Sequence, residues 1–131
     1  MSLKYLGEKN ILVVEDDAFN IQLIRSLLKK VSNMNILSSH DGEKALDLLE
    51  FGDEPIDMVL LDLRMPIMDG KELLQRIRSN PAYDDLPILI ISVDRTNEEE
   101  LRSMGANDFI HKPFNIDDLV AKISSNFTYK K

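Results

Sequence analysis

The segment Met58 to Gly70, MVLLDLRMPIMDG, joins an uninterrupted apolar run to a single carboxylate and then to a loop bearing Pro66 and Gly70. Met58 to Leu61 show no polar alternation, which marks a strand covered on both faces, as in a parallel sheet. Asp62 therefore stands at that strand's C-terminal end. Open α/β sheets bind ligands outside the carboxyl ends of their strands, so Asp62 is a candidate functional carboxylate. Ordinary turn chemistry is the competing explanation, because Asp favours turns and a loop must follow. The rest of the chain separates the two.

Moving outward, Ile11 to Val14 is a second apolar run, ending in Glu15, Asp16 and Asp17. Apolar residues then recur at Ile21, Ile24, Leu28 and Val31, the spacing of an amphipathic helix. Asn35 to Ser39 is a weaker strand, and Asp41 caps a helix with Ala45, Leu46, Leu48 and Leu49 on its apolar side. Asp69 caps a helix that buries Leu73, Leu74 and Ile77 and ends near Asn80 and Pro81. Ile88 to Ile91 terminates in Ser92. Thr96 and Glu99 form a capping-box pair for a helix that stops at Gly105. Asp108 to Ile110 is the last strand and runs into His111, Lys112 and Pro113; Asn115 caps a final helix with Leu119, Val120, Ile123 and Phe127. Five alternations of strand and helix predict an α/β fold, a doubly wound parallel sheet with helices on both faces.

In such a sheet every C-terminal strand end lies on one rim. Glu15 and Asp16, Asp62, Ser92 and Lys112 therefore converge, although each taken singly has an unremarkable explanation. Three carboxylates about 5 Å apart repel pairwise by ~3 kcal/mol at an effective dielectric near 20, a large fraction of a domain's stability. A cation or protonation relieves it, and a divalent cation does so most simply. An all-oxygen donor set without His or Cys favours Mg²⁺, which keeps waters and reserves positions for phosphate oxygens. With Lys112 as a further cation, Ser92 as a hydroxyl donor and Asp62 as the nucleophile, the cluster fits phosphoryl transfer.

At 131 residues one domain is expected, with a core spanning about 9–128. Met1 to Leu3 is set aside as a remnant of expression. Sixteen Lys and Arg against 23 Asp and Glu give a formal charge of -7, which disfavours direct contact with nucleic acid or an anionic membrane. No apolar run approaches the ~20 residues that cross a bilayer. The absence of cysteine fits a reducing cytoplasm.

The motifs ILVVEDD at Ile11 to Asp17, LLDLRMPIMDG at Leu60 to Gly70, LPILIIS at Leu86 to Ser92 and HKPF at His111 to Phe114 resemble the receiver domain of two-component response regulators. The resemblance covers Ile11 to about Phe127. It implies a flavodoxin-like sheet of order 2-1-3-4-5. It also implies Asp62 as phosphoacceptor, Asp16 as direct Mg²⁺ ligand, Glu15 acting through a metal-bound water, and the backbone carbonyl of Arg64 as a further ligand. Ser92 fills the hydroxyl position and Lys112 the cation position, with a cis bond to Pro113. Ser92 and Phe109 are the switch pair. Two features depart from the family's usual pattern: Arg64 places a long cation beside Asp62, with Asp94 as a prospective partner, and Phe109 lacks a tyrosine hydroxyl.

The resemblance further implies a histidine kinase or histidine phosphotransfer protein as donor, docking on the first helix around Ile21, Ile24 and Arg25. The expected output surface is the helix from Asn97 to Met104, the strand at Phe109 and the final helix. It acts on a downstream protein target or a fused output domain, as a monomer or weak phosphorylation-dependent dimer. Two rival readings are a pseudo-receiver that binds partners without phosphorylation and a Mg²⁺-dependent aspartyl phosphohydrolase; the second needs an acid where Arg64 stands. His40 and His111 are expected to have no special role.

Overall fold

The computed structural model describes residues 2–65, 68–93 and 97–128. Five parallel strands, β1 (Asn10–Val14), β2 (Asn35–Ser39), β3 (Met58–Asp62), β4 (Ile88–Ser92) and β5 (Asp108–His111), form one sheet of order β2-β1-β3-β4-β5. Every residue of β1, β3 and β4 is buried, as their unbroken apolar runs require of strands covered on both faces. β2 lies at an edge, and its mixed composition matches its partial exposure. The register pairs Val14 with Leu61, Asp62 with Ile91 and Ser92 with His111. Strand ends are thereby level, which puts the polar residues after them on one rim.

The helices are α1 (Ala18–Val31), α2 (Gly42–Phe51), α3 (Gly70–Arg78), α4 (Glu98–Ser103) and α5 (Ile116–Thr128). The caps expected at Asp41, Asp69 and Asn115 are formed: Asp41 accepts from the Lys44 amide, Asp69 from Glu72, and Asn115 from Asp117 and Asp118. Asp17 also caps α1, accepting from the Phe19 amide. Asn97 precedes α4 without a side-chain capping bond. Thr96, expected to cap this helix, lies outside the described residues, as do Pro66 and Asp94.

Alternation along the strands divides the core in two. Leu12, Val14, Val59, Leu61, Ile88 and Ile90 pack toward α2, α3 and α4. Ile11, Val13, Leu60, Leu89 and Ile91 pack toward α1 and α5. The second layer also holds Leu3, fully buried, whose amide donates to Val31 O at 2.6 Å. Leu3 is thus part of the core, outside the expected span of 9–128 and not a remnant to be set aside; a lone apolar residue ahead of the first strand has no periodicity to reveal this. Among the described residues no helix is long and apolar enough to cross a membrane.

Two devices hold the loops at the two ends of the sheet. Arg78 on α3 donates to Gly105 O, Tyr83 O, Leu86 O and the Asn107 side chain, tying together the approaches to β4 and β5. At the opposite end Gly70 closes the loop after β3, its amide donating to Leu63 O at 3.0 Å. A Cβ at Gly70 would lie 2.4 Å from Asp62 O and 2.7 Å from Leu63 Cα. Both obstacles are backbone, so a side chain fits only if the strand end moves. Gly70→Ala is expected to lose about 2 kcal/mol of stability in urea unfolding, within the range for overpacking; a variant as stable as wild type would show that this loop relaxes freely.

Candidate functional site

The rim collects the predicted residues into a pocket of about 270 Å³ lined by Glu15, Asp16, Asn20, Asp62, Ser92 and Lys112, with Arg64 at its wall. Glu15 and Asp62 are almost dry, at 1% and 5% exposure, whereas Asp16 is exposed. One carboxylate oxygen from each of Glu15, Asp16 and Asp62 lies within 4.8 Å of the others. Lys112 Nζ approaches from β5, 3.3 Å from Glu15 Oε1 and 3.7 Å from Asp62 Oδ2. The Arg64 amide donates to Asp62 Oδ1 at 3.2 Å. Ser92 is buried, and its carbonyl accepts from the Lys112 amide at 3.0 Å, so the hydroxyl and cation positions are linked through backbone. The Lys112–Pro113 peptide is cis.

Charge at this site is unbalanced. Burial raises the Glu15 carboxyl above the usual carboxylate range, and neighbouring Asp62 raises it further. Lys112 and the Asp17 amide pull in the opposite direction without cancelling the effect. Among the described residues no other group of three potential metal ligands is so closely drawn together. Its donors are all carboxylate oxygens, the set that suits a hard cation such as Mg²⁺.

Several contacts were outside the reach of sequence reasoning. Asn20 on α1 donates from Nδ2 to Glu15 Oε1 at 3.3 Å. His111, expected to have no special role, places Nε2 2.7 Å from Glu98 Oε2 and so joins the end of β5 to the start of α4. Phe109 is buried at 3% exposure, with the Arg102 guanidinium 4.8 Å from its ring centroid. Arg102 also lies 3.6 Å from Asp108, and Lys122 donates to Phe109 O. These pairs form only when helices dock, so no sequence spacing announces them. Ile21 and Ile24, expected around the donor-docking site on α1, are buried in the core, and Phe19, 72% exposed, is the large apolar residue that α1 presents to solvent. A helical stripe cannot face both the core and a partner.

The profile of the response regulator receiver domain matches residues 11–124. This chain belongs to the response regulator receiver family. It is 36% identical over 115 residues to the transcriptional regulatory protein CpxR of Escherichia coli (strain K12), covering 86% of this chain and 47% of that protein. It is 32% identical over 119 residues to the response regulator GtcR of Aneurinibacillus migulanus, covering 89% of this chain and 47% of the relative. The receiver thus spans about half the length of these curated relatives. Among solved structures, the receiver domain of a Francisella response regulator superposes with a TM-score of 0.82 at 28% identity, covering 95% of this chain and all of that one. Sheet order and family agree with the resemblance that the four motifs carry.

The raised Glu15 carboxyl fixes a pH dependence. Glu15 ionises in the unfolded chain near 4.5 but later in the folded one, so the folded state binds more protons between those values and stability falls as pH rises through them. Without metal, Glu15→Gln is expected to be more stable than wild type at pH 7 by about 1–3 kcal/mol, the scale of one partly screened carboxylate repulsion. Thermal melts in EDTA should show the advantage disappearing as the pH approaches 4.5. An equal advantage at both pH values would place the effect elsewhere.

Proposed function

We propose that this receiver takes a phosphoryl group from a phosphohistidine donor onto Asp62 in the presence of Mg²⁺ and converts the added charge into altered protein contacts. The observation that carries the reading is the convergence of Glu15, Asp16 and Asp62 within 4.8 Å, with Lys112 against two of them. Mg²⁺ fits this all-oxygen donor set, with Asp16, Asp62 and the Arg64 carbonyl as ligands and Glu15 acting through water. When bound, it supplies positive charge to the oxygens of the transferring phosphoryl group.

The chain's own groups do the rest. The Arg64 amide orients Asp62 through Oδ1, and Oδ2, the oxygen nearer Lys112, attacks phosphorus. An O–P bond forms as the P–N bond of the donor breaks, and the electron pair returns to the imidazole nitrogen. Lys112 balances charge on the phosphoryl oxygens, and the Ser92 hydroxyl donates a hydrogen bond to one of them.

The aspartyl phosphate adds about -1.5 to -2 charges, which draw Ser92 and Lys112 and bias an existing two-state equilibrium. Because Lys112 directly follows β5, which carries Phe109, the pull reaches α4, β5 and α5, the output surface. The chain works in the cytoplasm as a signalling domain, receiving the group from a histidine kinase or histidine phosphotransfer protein. It passes the change to a separate target or a fused output domain, as a monomer or a weak phosphorylation-dependent dimer. Donor docking centres on exposed Phe19 beside the acidic pocket.

Incubation with acetyl phosphate and Mg²⁺, followed by intact-protein mass measurement, should add one phosphoryl group to wild type and none to Asp62→Asn or to an EDTA control. A folded, Mg²⁺-binding protein that never acquires the group would reduce the chain to a pseudo-receiver. Phe19→Ala should slow transfer from a phosphohistidine protein donor several-fold while leaving acetyl phosphate labelling unchanged, because truncating an exposed apolar contact weakens docking and leaves the chemistry intact. Equal slowing of both donors would remove Phe19 from the docking surface.

A further inference from the structure

Glu15 is held by three donors. Its Oε1 receives Asn20 Nδ2 at 3.3 Å and lies 3.3 Å from Lys112 Nζ, and its Oε2 accepts the Asp17 amide at 3.2 Å. Asp17 is the N-cap of α1, so Asn20 stands three residues into the helix. At that position a Glu or Gln commonly reaches back to the N-cap amide, closing a capping box. Here the Asp17 amide is taken by Glu15, and the side chain of Asn20 reaches past it to the Glu15 carboxylate. Asn is a poor helix former, and helix propensity alone would not select it for the first turn. Its amide lines the acidic pocket and serves the pocket's most deeply buried carboxylate.

We propose that Asn20 is a positioning residue for the metal site: it holds Glu15 in the rotamer that supports Mg²⁺, and goes on holding it when Lys112 turns toward the phosphoryl group. This rests on the Mg²⁺-dependent reading above. Lys112 stands between Glu15 and Asp62, so any movement toward a phosphoryl group on Asp62 withdraws a donor from Glu15 Oε1. Asn20 on α1 is independent of β5 and keeps its bond. Hydrogen-bond partners of metal-supporting groups fix orientation and so contribute to affinity without touching the ion.

The test is calorimetric titration of Mg²⁺ into the full chain, with no phosphodonor, for wild type, Asn20→Leu, Asn20→Ala and Asn20→Gln. Thermal melts in EDTA and acetyl phosphate labelling at saturating Mg²⁺ accompany it. Leu and Ala, which remove the donor, are expected to raise the Mg²⁺ dissociation constant about tenfold, the lower end for such partners. Gln, which keeps an amide donor, is expected to restore affinity. Melting in EDTA should stay close to wild type in all three, so that a change in affinity is not a loss of fold; labelling of the wild type at saturating Mg²⁺ is the control for the phosphoacceptor reading. Unchanged affinity in Leu and Ala, or a loss that Gln fails to rescue, overturns the role of Asn20 while a labelled, Mg²⁺-binding wild type leaves the phosphoacceptor reading intact. A wild type that binds no Mg²⁺ overturns both.

Discussion

The repulsion between Glu15 and Asp62 is the constraint on which the site depends. Both carboxylates are nearly excluded from water, and Asp16 adds a third within 4.8 Å. Burying like charges together opposes folding, and here burial and Asp62 both hold the Glu15 proton more tightly than usual. Lys112 and the Asp17 amide offset only part of this. The unrelieved remainder is a standing attraction for positive charge.

The parallel sheet makes that cluster unavoidable. Registers that pair Val14 with Leu61 and Asp62 with Ile91 leave the strand ends level, and Gly70 allows the chain to turn tightly against the carbonyl of Asp62. A slip of β1 or β3 would draw Glu15 or Asp62 into the apolar layers of the sheet, so these acids stay together at the rim. Stability made in the two hydrophobic layers maintains the electrostatic tension at the rim.

Much of this is legible in the sequence because it is local or topological. Unbroken apolar runs marked β1, β3 and β4, and Asp41, Asp69 and Asn115 announced helix starts through a preference that acts over a few residues. The rim followed from parallel order alone, and the four motifs carried the order itself. Asn20, His111 and Arg102 were different. Asn20 reaches back to Glu15 only once α1 is set on its Asp17 cap, His111 meets Glu98 only when α4 lies beside β5, and Arg102 finds Phe109 across the same contact. Ile21 and Ile24 show the related difficulty on α1: one helical stripe in the sequence suits core and partner alike, and here both residues are buried in the core.

The most direct test of the electrostatic account is the melting temperature of the full chain as a function of Mg²⁺, for wild type and Asp16→Asn. If the carboxylate cluster is held under tension that a divalent cation relieves, Mg²⁺ raises the melting temperature of wild type in a saturable way. Asp16→Asn, which removes one of the three charges, is then more stable than wild type in EDTA and gains much less from Mg²⁺. A wild type indifferent to Mg²⁺, or an Asp16→Asn variant that gains as much as wild type, would contradict it.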